Sequence, residues 1–186
     1  MRSPLALLLL VFAMIGSAPT LAQTDRQTGI AEFLAAFRER GNLRGSALAI
    51  VDGETVFDSA FGLANAENGR PNSTDTRFYA ASVTKAFTAV AILQLAEAGA
   101  LRLDAPIADY LSGFDPEIGA TVTVRHLLNH SSGILRDYTE RLPEGAIGTD
   151  RQLINSVNGS GLMFDPGSSI AYSNTGYRIL ALMIER

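Results

Sequence analysis

The sequence contains no cysteine, and Lys85 is the only lysine among its 15 lysine and arginine residues. Without cysteine, neither a disulfide framework nor lipid attachment to a thiol is available to the chain. The formal net charge of −4 leaves no basic excess to follow a nucleic-acid backbone, which excludes nucleic acid as an expected partner. No sequence pattern indicates a cofactor. These absences favour a globular protein that is stabilised by its hydrophobic core alone.

The first residues, MRSPLALLLLVFAMIGSAPTLAQ, combine a positive charge at Arg2 with an apolar run from Leu5 to Ile15. Small residues follow, with cleavage expected after Ala18 or Ala22, which is typical of a secretory signal peptide over residues 1–22. An uncleaved membrane anchor is the alternative, but a spanning helix needs roughly 20 apolar residues and this run is much shorter. We therefore expect an exported protein, periplasmic or secreted. No second run reaches membrane length, so no stable membrane span is expected after cleavage.

The remaining residues, 23–186, suffice for one domain and are marginal for two. Two β-rich runs flank Asp52-Gly53, the dipeptide that most favours a tight hairpin turn, and the following segment LANAENGRPNSTDTR has a loop composition. Apolar periodicity and capping residues predict helices at Gly29–Arg40, at Ser82–Ala98, after Thr123, from Thr149 to about Val157 and after Ser173 or Asn174. Helices combined with an antiparallel hairpin indicate a mixed α/β (α+β) fold.

Two of these helices carry further expectations. The segment Ser82–Ala98 has almost no polar face, which is typical of a buried central helix. In the last helix, Tyr177, Leu180, Ala181 and Ile184 repeat the spacing of a buried stripe. This repeat continues to the end of the sequence without a stop signal, so we expect a domain that is incomplete at its C-terminus.

Ser82 and Lys85 are three positions apart, a spacing that places two side chains on one helix face within contact distance. A lysine there can hold the serine hydroxyl by a hydrogen bond and, when neutral, accept its proton, whereas arginine stays protonated. The spacing alone is weak evidence, because chance supplies such a serine in roughly one case in fifteen. On an apolar helix, however, an unpaired lysine charge is costly. The pair is therefore a candidate nucleophile with its proton acceptor.

Tyr172 and Asn174 form a second candidate cluster, in a loop that enters the last helix. A tyrosine beside an ammonium group has its phenolate favoured and becomes a candidate base for a serine hydroxyl. The amide of Asn174 is suited to orient Lys85 or to bind a substrate carbonyl. The structural alternatives are a half-buried aromatic ring and a helix cap, and the residues alone leave both interpretations open.

The only two histidines, His126 and His130, are four positions apart on a predicted helix, a spacing that also suits two metal ligands. No glutamate follows His126 and no third ligand is evident, so we expect a structural role and no metal. In the turn HSSG, we expect His130, Ser132 and Gly133 to have a structural role, packing behind the site and supporting it.

Three segments occur in a fixed order: SVTK at the start of the long helix, then LLNHSSGI, then FDPGSSIAYSNTGYRILALMIE. Together they resemble the serine β-lactamase and penicillin-binding protein superfamily. The resemblance is strongest to the branch of class C β-lactamases, D-Ala-D-Ala carboxypeptidases and related esterases, and it runs from Gly45 to Arg186. It implies a β-lactamase-like fold in which a helical region lies beside an antiparallel sheet.

The same resemblance implies roles for individual residues. Ser82 would be the acylated nucleophile, Lys85 its partner, Tyr172 the general base, and Asn174 a contact to Lys85 and to the substrate amide. The backbone N–H of Ser82 would supply half of the oxyanion hole. The implied substrate is a small molecule or peptide, namely a β-lactam, a D-Ala-D-Ala peptide or a small ester, hydrolysed through an acyl-serine intermediate.

The family's third motif, Lys-Thr-Gly or His-x-Gly, belongs to a later strand and does not occur after Asn174. We therefore expect this chain to turn substrate over poorly or not at all. The alternative from another functional class is a non-catalytic scaffold that binds peptidoglycan-like peptides or a protein partner.

Overall fold

The computed structural model of the protein describes residues 21–39, 43–141 and 148–186. Apart from Leu21 and Ala22, the expected signal peptide lies outside the described residues, and so do Arg40 and the stop predicted for the first helix. Over the described ranges, no helix is long and apolar enough to cross a membrane. The chain divides into two compact units, within Met1–Tyr79 and Ala80–Arg186.

In the part of the first unit that the structure describes, there are one helix and four short strands. These are α1 (Leu21–Glu39), β1 (Gly45–Val51), β2 (Glu54–Phe61), β3 (Leu63–Asn65) and β4 (Arg70–Pro71). Helix α1 packs against β2 and begins earlier than the predicted Gly29. Strands β3 and β4 pair in the segment whose composition indicated a loop, because backbone pairing across a tight turn needs little from the side chains.

The predicted hairpin at Asp52-Gly53 is confirmed. Strands β1 and β2 pair antiparallel up to Val51 opposite Glu54. Asp52 and Gly53 both have positive φ angles, 54° and 81°, as a type I′ turn requires. Asp and Gly tolerate this backbone conformation better than other residues, which explains why the dipeptide located the turn.

The second unit is helical. It contains α2 (Thr84–Glu97), α3 (Pro116–Thr121), α4 (Val124–Leu128), α5 (Asp150–Ser160) and α6 (Asn174–Glu185), with 3-10 turns at Ala81–Val83, Ile107–Asp109 and Tyr138–Arg141. Its hydrophobic core lies among these helices and includes Ile92, Ile107, Leu127, Ile134, Leu153, Ile179 and Leu180. The mixture of helices and antiparallel strands expected from the sequence is confirmed.

The expectation that Ser82–Ala98 forms a buried central helix is wrong in part. The helix exists as a 3-10 turn followed by α2, but Ile92 is its only fully buried residue, and Phe87 is 72% exposed. One face of α2 packs against α6. The sequence of a helix that is apolar all round does not show which face will be covered. Periodicity therefore could not identify the covered face of α2.

The apolar stripe predicted for the last helix is displaced by one position. Helix α6 buries Gly176, Ile179, Leu180 and Met183, whereas Ile184 is exposed. The reason is that α6 packs between neighbours, against α2 and α4, so its buried face is wider than a single stripe.

The predicted helix starts are confirmed where capping chemistry indicated them. Thr123 caps α4, and the Thr149 side chain forms a capping box with Gln152 at the start of α5. For α6, the two candidates resolve in favour of Ser173, whose hydroxyl accepts a hydrogen bond from the Gly176 N–H.

Candidate active site

Ser82 lies at the turn that leads into α2. It is the middle residue of the 3-10 turn Ala81–Val83, and its side chain is exposed. The preceding residue, Ala81, has a φ of 46°, which is uncommon for a residue with a Cβ. Backbone strain of this kind concentrates at functional sites, so Ala81 is a signal that sequence reasoning missed.

Lys85 lies one turn further along, in the first turn of α2, and is half-buried. Its ammonium donates to Asn174 Oδ1 at 2.7 Å and to Ser82 Oγ at 3.4 Å. It also lies 4.9 Å from the centre of the Tyr172 ring. The helical spacing therefore does place lysine and serine on one face, as predicted, and Asn174 is the closer partner of the lysine.

Tyr172 approaches Ser82 from the loop before α6. Its hydroxyl lies 2.7 Å from Ser82 Oγ, and either oxygen is able to donate the proton. The pKa of Tyr172 is lowered below its ordinary value, chiefly by the Lys85 ammonium and secondly by the hydrogen bond with Ser82. The charge of Arg136 lowers it further. The phenolate of this tyrosine, directly beside the serine hydroxyl, is thus stabilised relative to that of an isolated tyrosine.

Asn174 is the first residue of α6 and joins two groups of opposite charge. Its amide oxygen accepts from Lys85, and its amide nitrogen donates to Asp137 Oδ1 at 2.6 Å. Sequence reasoning missed Asp137, because an isolated acidic residue in a loop carries no spacing signal. Only the tertiary contact reveals it.

His130 does not share a helix with His126, because α4 ends at Leu128. His130 follows the helix with a φ of 58°, and its Nδ1 accepts from the Ser173 N–H at 3.1 Å. Its ring lies 4.6 Å from the ring of Tyr172, centre to centre. Burial, and to a smaller degree the Lys85 charge, lowers the pKa of His130, so the neutral ring that accepts this hydrogen bond is favoured.

Ser132 and Gly133 lie in the turn after His130. The Ser132 side chain is 1% exposed, and its hydroxyl accepts from the Ile134 N–H at 3.3 Å. Gly133 has a φ of 75°, and a Cβ on it would lie 2.3 Å from the Phe164 carbonyl oxygen. These contacts pack the turn closely against neighbouring backbone.

The structure thus brings Ser82, Lys85, Tyr172 and Asn174 into one hydrogen-bonded cluster. The cluster contains a serine hydroxyl, a tyrosine whose pKa is lowered, and an ammonium group that lowers it. Across the described residues, no group of three or more His, Cys, Asp or Glu side chains is arranged to hold a metal ion. A serine hydroxyl held beside such a tyrosine and lysine can be activated for covalent acyl transfer.

A family model described as beta-lactamase matches residues 30–186. The chain belongs to the beta-lactamase family. Among curated members of similar sequence, Penicillin-binding protein 4 of Amycolatopsis lactamdurans is 38% identical over 154 residues, which are 81% of this chain and 40% of that protein. Esterase EstB of Burkholderia gladioli is 43% identical over 108 residues, which are 56% of this chain and 28% of the esterase.

The fold of this beta-lactamase family member matches a solved class C beta-lactamase with a TM-score of 0.77. At 21% identity, the match covers 90% of this chain and 46% of the other. The chain therefore spans less than half the length of each of these proteins. The sequence-based recognition of the superfamily and of its fold is confirmed.

Proposed function

We propose that the protein is an exported serine hydrolase that acts through a covalent acyl-enzyme on Ser82. The observation that carries the proposal is the position of the Ser82 hydroxyl, 2.7 Å from Tyr172 and 3.4 Å from Lys85. A serine hydroxyl is a weak nucleophile unless a neighbouring base removes its proton. Export rests on the signal-like residues 1–22 alone.

In the first step, the Tyr172 phenolate accepts the Ser82 proton as Oγ bonds to the substrate carbonyl carbon. The carbon–nitrogen or carbon–oxygen bond of the leaving group then breaks, and the proton passes from Tyr172 to that group. A water molecule attacks the resulting ester in the second step, again giving its proton to Tyr172, and the acid product leaves with Ser82 restored. The Lys85 ammonium stabilises the phenolate.

The substrate we propose is a carbonyl compound with a good leaving group: a β-lactam, a D-Ala-D-Ala peptide or a small ester. The names of the related proteins, a penicillin-binding protein and an esterase, support this range. The family's third motif would supply a second oxyanion donor on a later strand, and residues 175–186 do not contain it. We therefore propose that these 186 residues alone form the acyl-enzyme slowly and turn it over very little.

The test is the intact mass of the purified protein after exposure to benzylpenicillin or to a nitrophenyl ester. We expect a mass increase equal to the acyl group, located at Ser82 by peptide mapping, and no increase in a Ser82→Ala variant. A wild-type protein that binds either compound without any covalent adduct would contradict the proposal and favour the non-catalytic scaffold.

A further inference from the structure

We propose that Asp137 is a positioning residue of this site, which fixes the orientation of the Asn174 amide and thereby the place of Lys85 beside Ser82. The inference rests on the proposed acyl transfer and adds to it a residue that does not touch the reacting atoms. Its basis is the chain of contacts from Ser82 through Lys85 and Asn174 to Asp137.

The two ends of the Asn174 amide have different neighbours. The oxygen lies 2.7 Å from the Lys85 ammonium, which only donates, and the nitrogen lies 2.6 Å from the Asp137 carboxylate, which only accepts. A flipped amide would place N–H groups against the ammonium and the oxygen against the carboxylate. Both contacts would then be repulsive, so Asp137 and Lys85 together permit a single orientation.

The backbone holds Asp137 in place from both sides. On one side, the N–H groups of Asn174 and Thr175 donate to the Arg136 carbonyl at 2.9 and 3.0 Å. On the other, the Tyr138 N–H donates to the Thr175 hydroxyl at 2.9 Å. The carboxylate is therefore tied to the start of the helix that carries Asn174, and its own side chain is only 24% exposed.

Asp137 is also the carboxylate that reaches Lys85 through a single intervening amide. Within the described part of the chain, the ion pairs include none between Lys85 and a carboxylate. The Asn174 amide links the two charges instead, because its negative oxygen end faces the ammonium and its positive NH₂ end faces the carboxylate. The second oxygen of Asp137 lies 3.4 Å from the exposed Arg136 guanidinium, which itself lies 5.7 Å from the centre of the Tyr172 ring.

The first test compares acylation rates of Asp137→Ala, Asp137→Asn and the wild type with a nitrophenyl ester. Loss of a charge-assisted hydrogen bond predicts a limiting rate that is roughly tenfold to a hundredfold lower in Asp137→Ala. The half-saturating ester concentration should change little. Asp137→Asn should recover part of the rate, because its amide oxygen still accepts from Asn174. The matched control is Glu117→Ala, which removes an exposed carboxylate of the same unit.

A double-mutant cycle separates positioning from general damage to the fold. If Asp137 acts through Asn174, then Asp137→Ala should cost nothing further in an Asn174→Ala background. Additive losses would overturn the inference, as would a wild-type acylation rate in Asp137→Ala.

A readout without substrate distinguishes failure of this inference from failure of the proposed function. Since Lys85 is the only lysine of these residues, ¹³C-lysine labelling gives one ε-carbon NMR signal from this part of the chain. That signal should shift in Asp137→Ala and stay in place in Glu117→Ala. An unmoved signal overturns the role of Asp137 whatever the activity. A shifted signal in a protein that never acylates would support the positioning and contradict the hydrolase.

Discussion

Lys85 makes two contacts that place different geometric requirements on its side chain. It donates to Asn174 at 2.7 Å, and its charge lies 4.9 Å from the Tyr172 ring centre. An ammonium group fits both because it is compact and its three donors rotate freely. The guanidinium of arginine is planar and larger, so its donors cannot point to Ser82 and Asn174 from the same position.

The first prediction at this scale concerns Lys85→Arg. We expect acylation to fall by roughly 10² to 10³-fold, the range that loss of one preorganised electrostatic contact gives, because a guanidinium cannot keep the contacts of Lys85 to Asn174 and Ser82; the melting temperature should change little. Intact-mass kinetics with a nitrophenyl ester measure the first quantity and circular dichroism the second. Arg102→Lys, an exchange of the same two residue types at an exposed position, is the control. Retention of most activity by Lys85→Arg would show that a fixed positive charge is sufficient.

At the scale of elements, the sequence located best those features that depend on local chemistry. The Asp52-Gly53 turn, the Thr123 cap and the Thr149 cap each satisfy backbone groups within three residues, so they can be predicted without the fold. The covered face of α2 and the stripe of α6 depend instead on which helices pack against them. Such information is not present in one segment.

The turn at Gly133 allows a prediction for one element. A Cβ there would lie 2.3 Å from the Phe164 carbonyl oxygen, and the φ of 75° already disfavours side chains. We expect Gly133→Ala to lower the free energy of unfolding by more than the ~1–2 kcal/mol that positive φ alone costs, because backbone must move. Urea denaturation measures the change.

The matched control for this substitution is Gly99→Ala. Gly99 has a φ of 74°, nearly the same as Gly133, but no atom lies within 4 Å of the place that a Cβ on it would take. It should therefore show the conformational cost without the steric one. Equal losses for the two variants would mean that the turn relaxes and that its contact with Phe164 is not restrictive.

At the scale of the whole molecule, the site combines segments that are far apart in the sequence. The resemblance to a known superfamily located Ser82, Lys85, Tyr172 and Asn174, and the structure joins them in one cluster. Asp137 could not be located in this way. Its role depends on a contact across 37 positions, and no local pattern accompanies it.

Acid stability is a prediction for the whole molecule that depends on His130. Its folded pKa is below the ordinary 6.5, so on acidification the unfolded chain binds this proton before the folded chain does. The resulting stability is present above about pH 6.5 and is lost as the pH falls through the folded pKa. The charged groups facing this ring are Lys85 and, when ionised, Tyr172.

The variant that tests this is His130→Asn. Asparagine tolerates a φ of 58° and retains an acceptor for the Ser173 N–H, but it does not titrate. We expect the stability of the wild type relative to His130→Asn, measured by urea denaturation, to decrease between pH 7.5 and pH 5. A constant difference over that interval would show that His130 does not contribute to the acid sensitivity.

The hydrogen bond between Ser82 and Tyr172 joins residues that are 90 positions apart. Closing so long a loop is entropically costly and is rewarded only by contacts that form when the intervening helices are already packed. In a chain whose helices have not packed, Ser82 therefore lacks the tyrosine that we propose as its base. We expect a covalent inhibitor of this site to label only molecules in which these helices have packed.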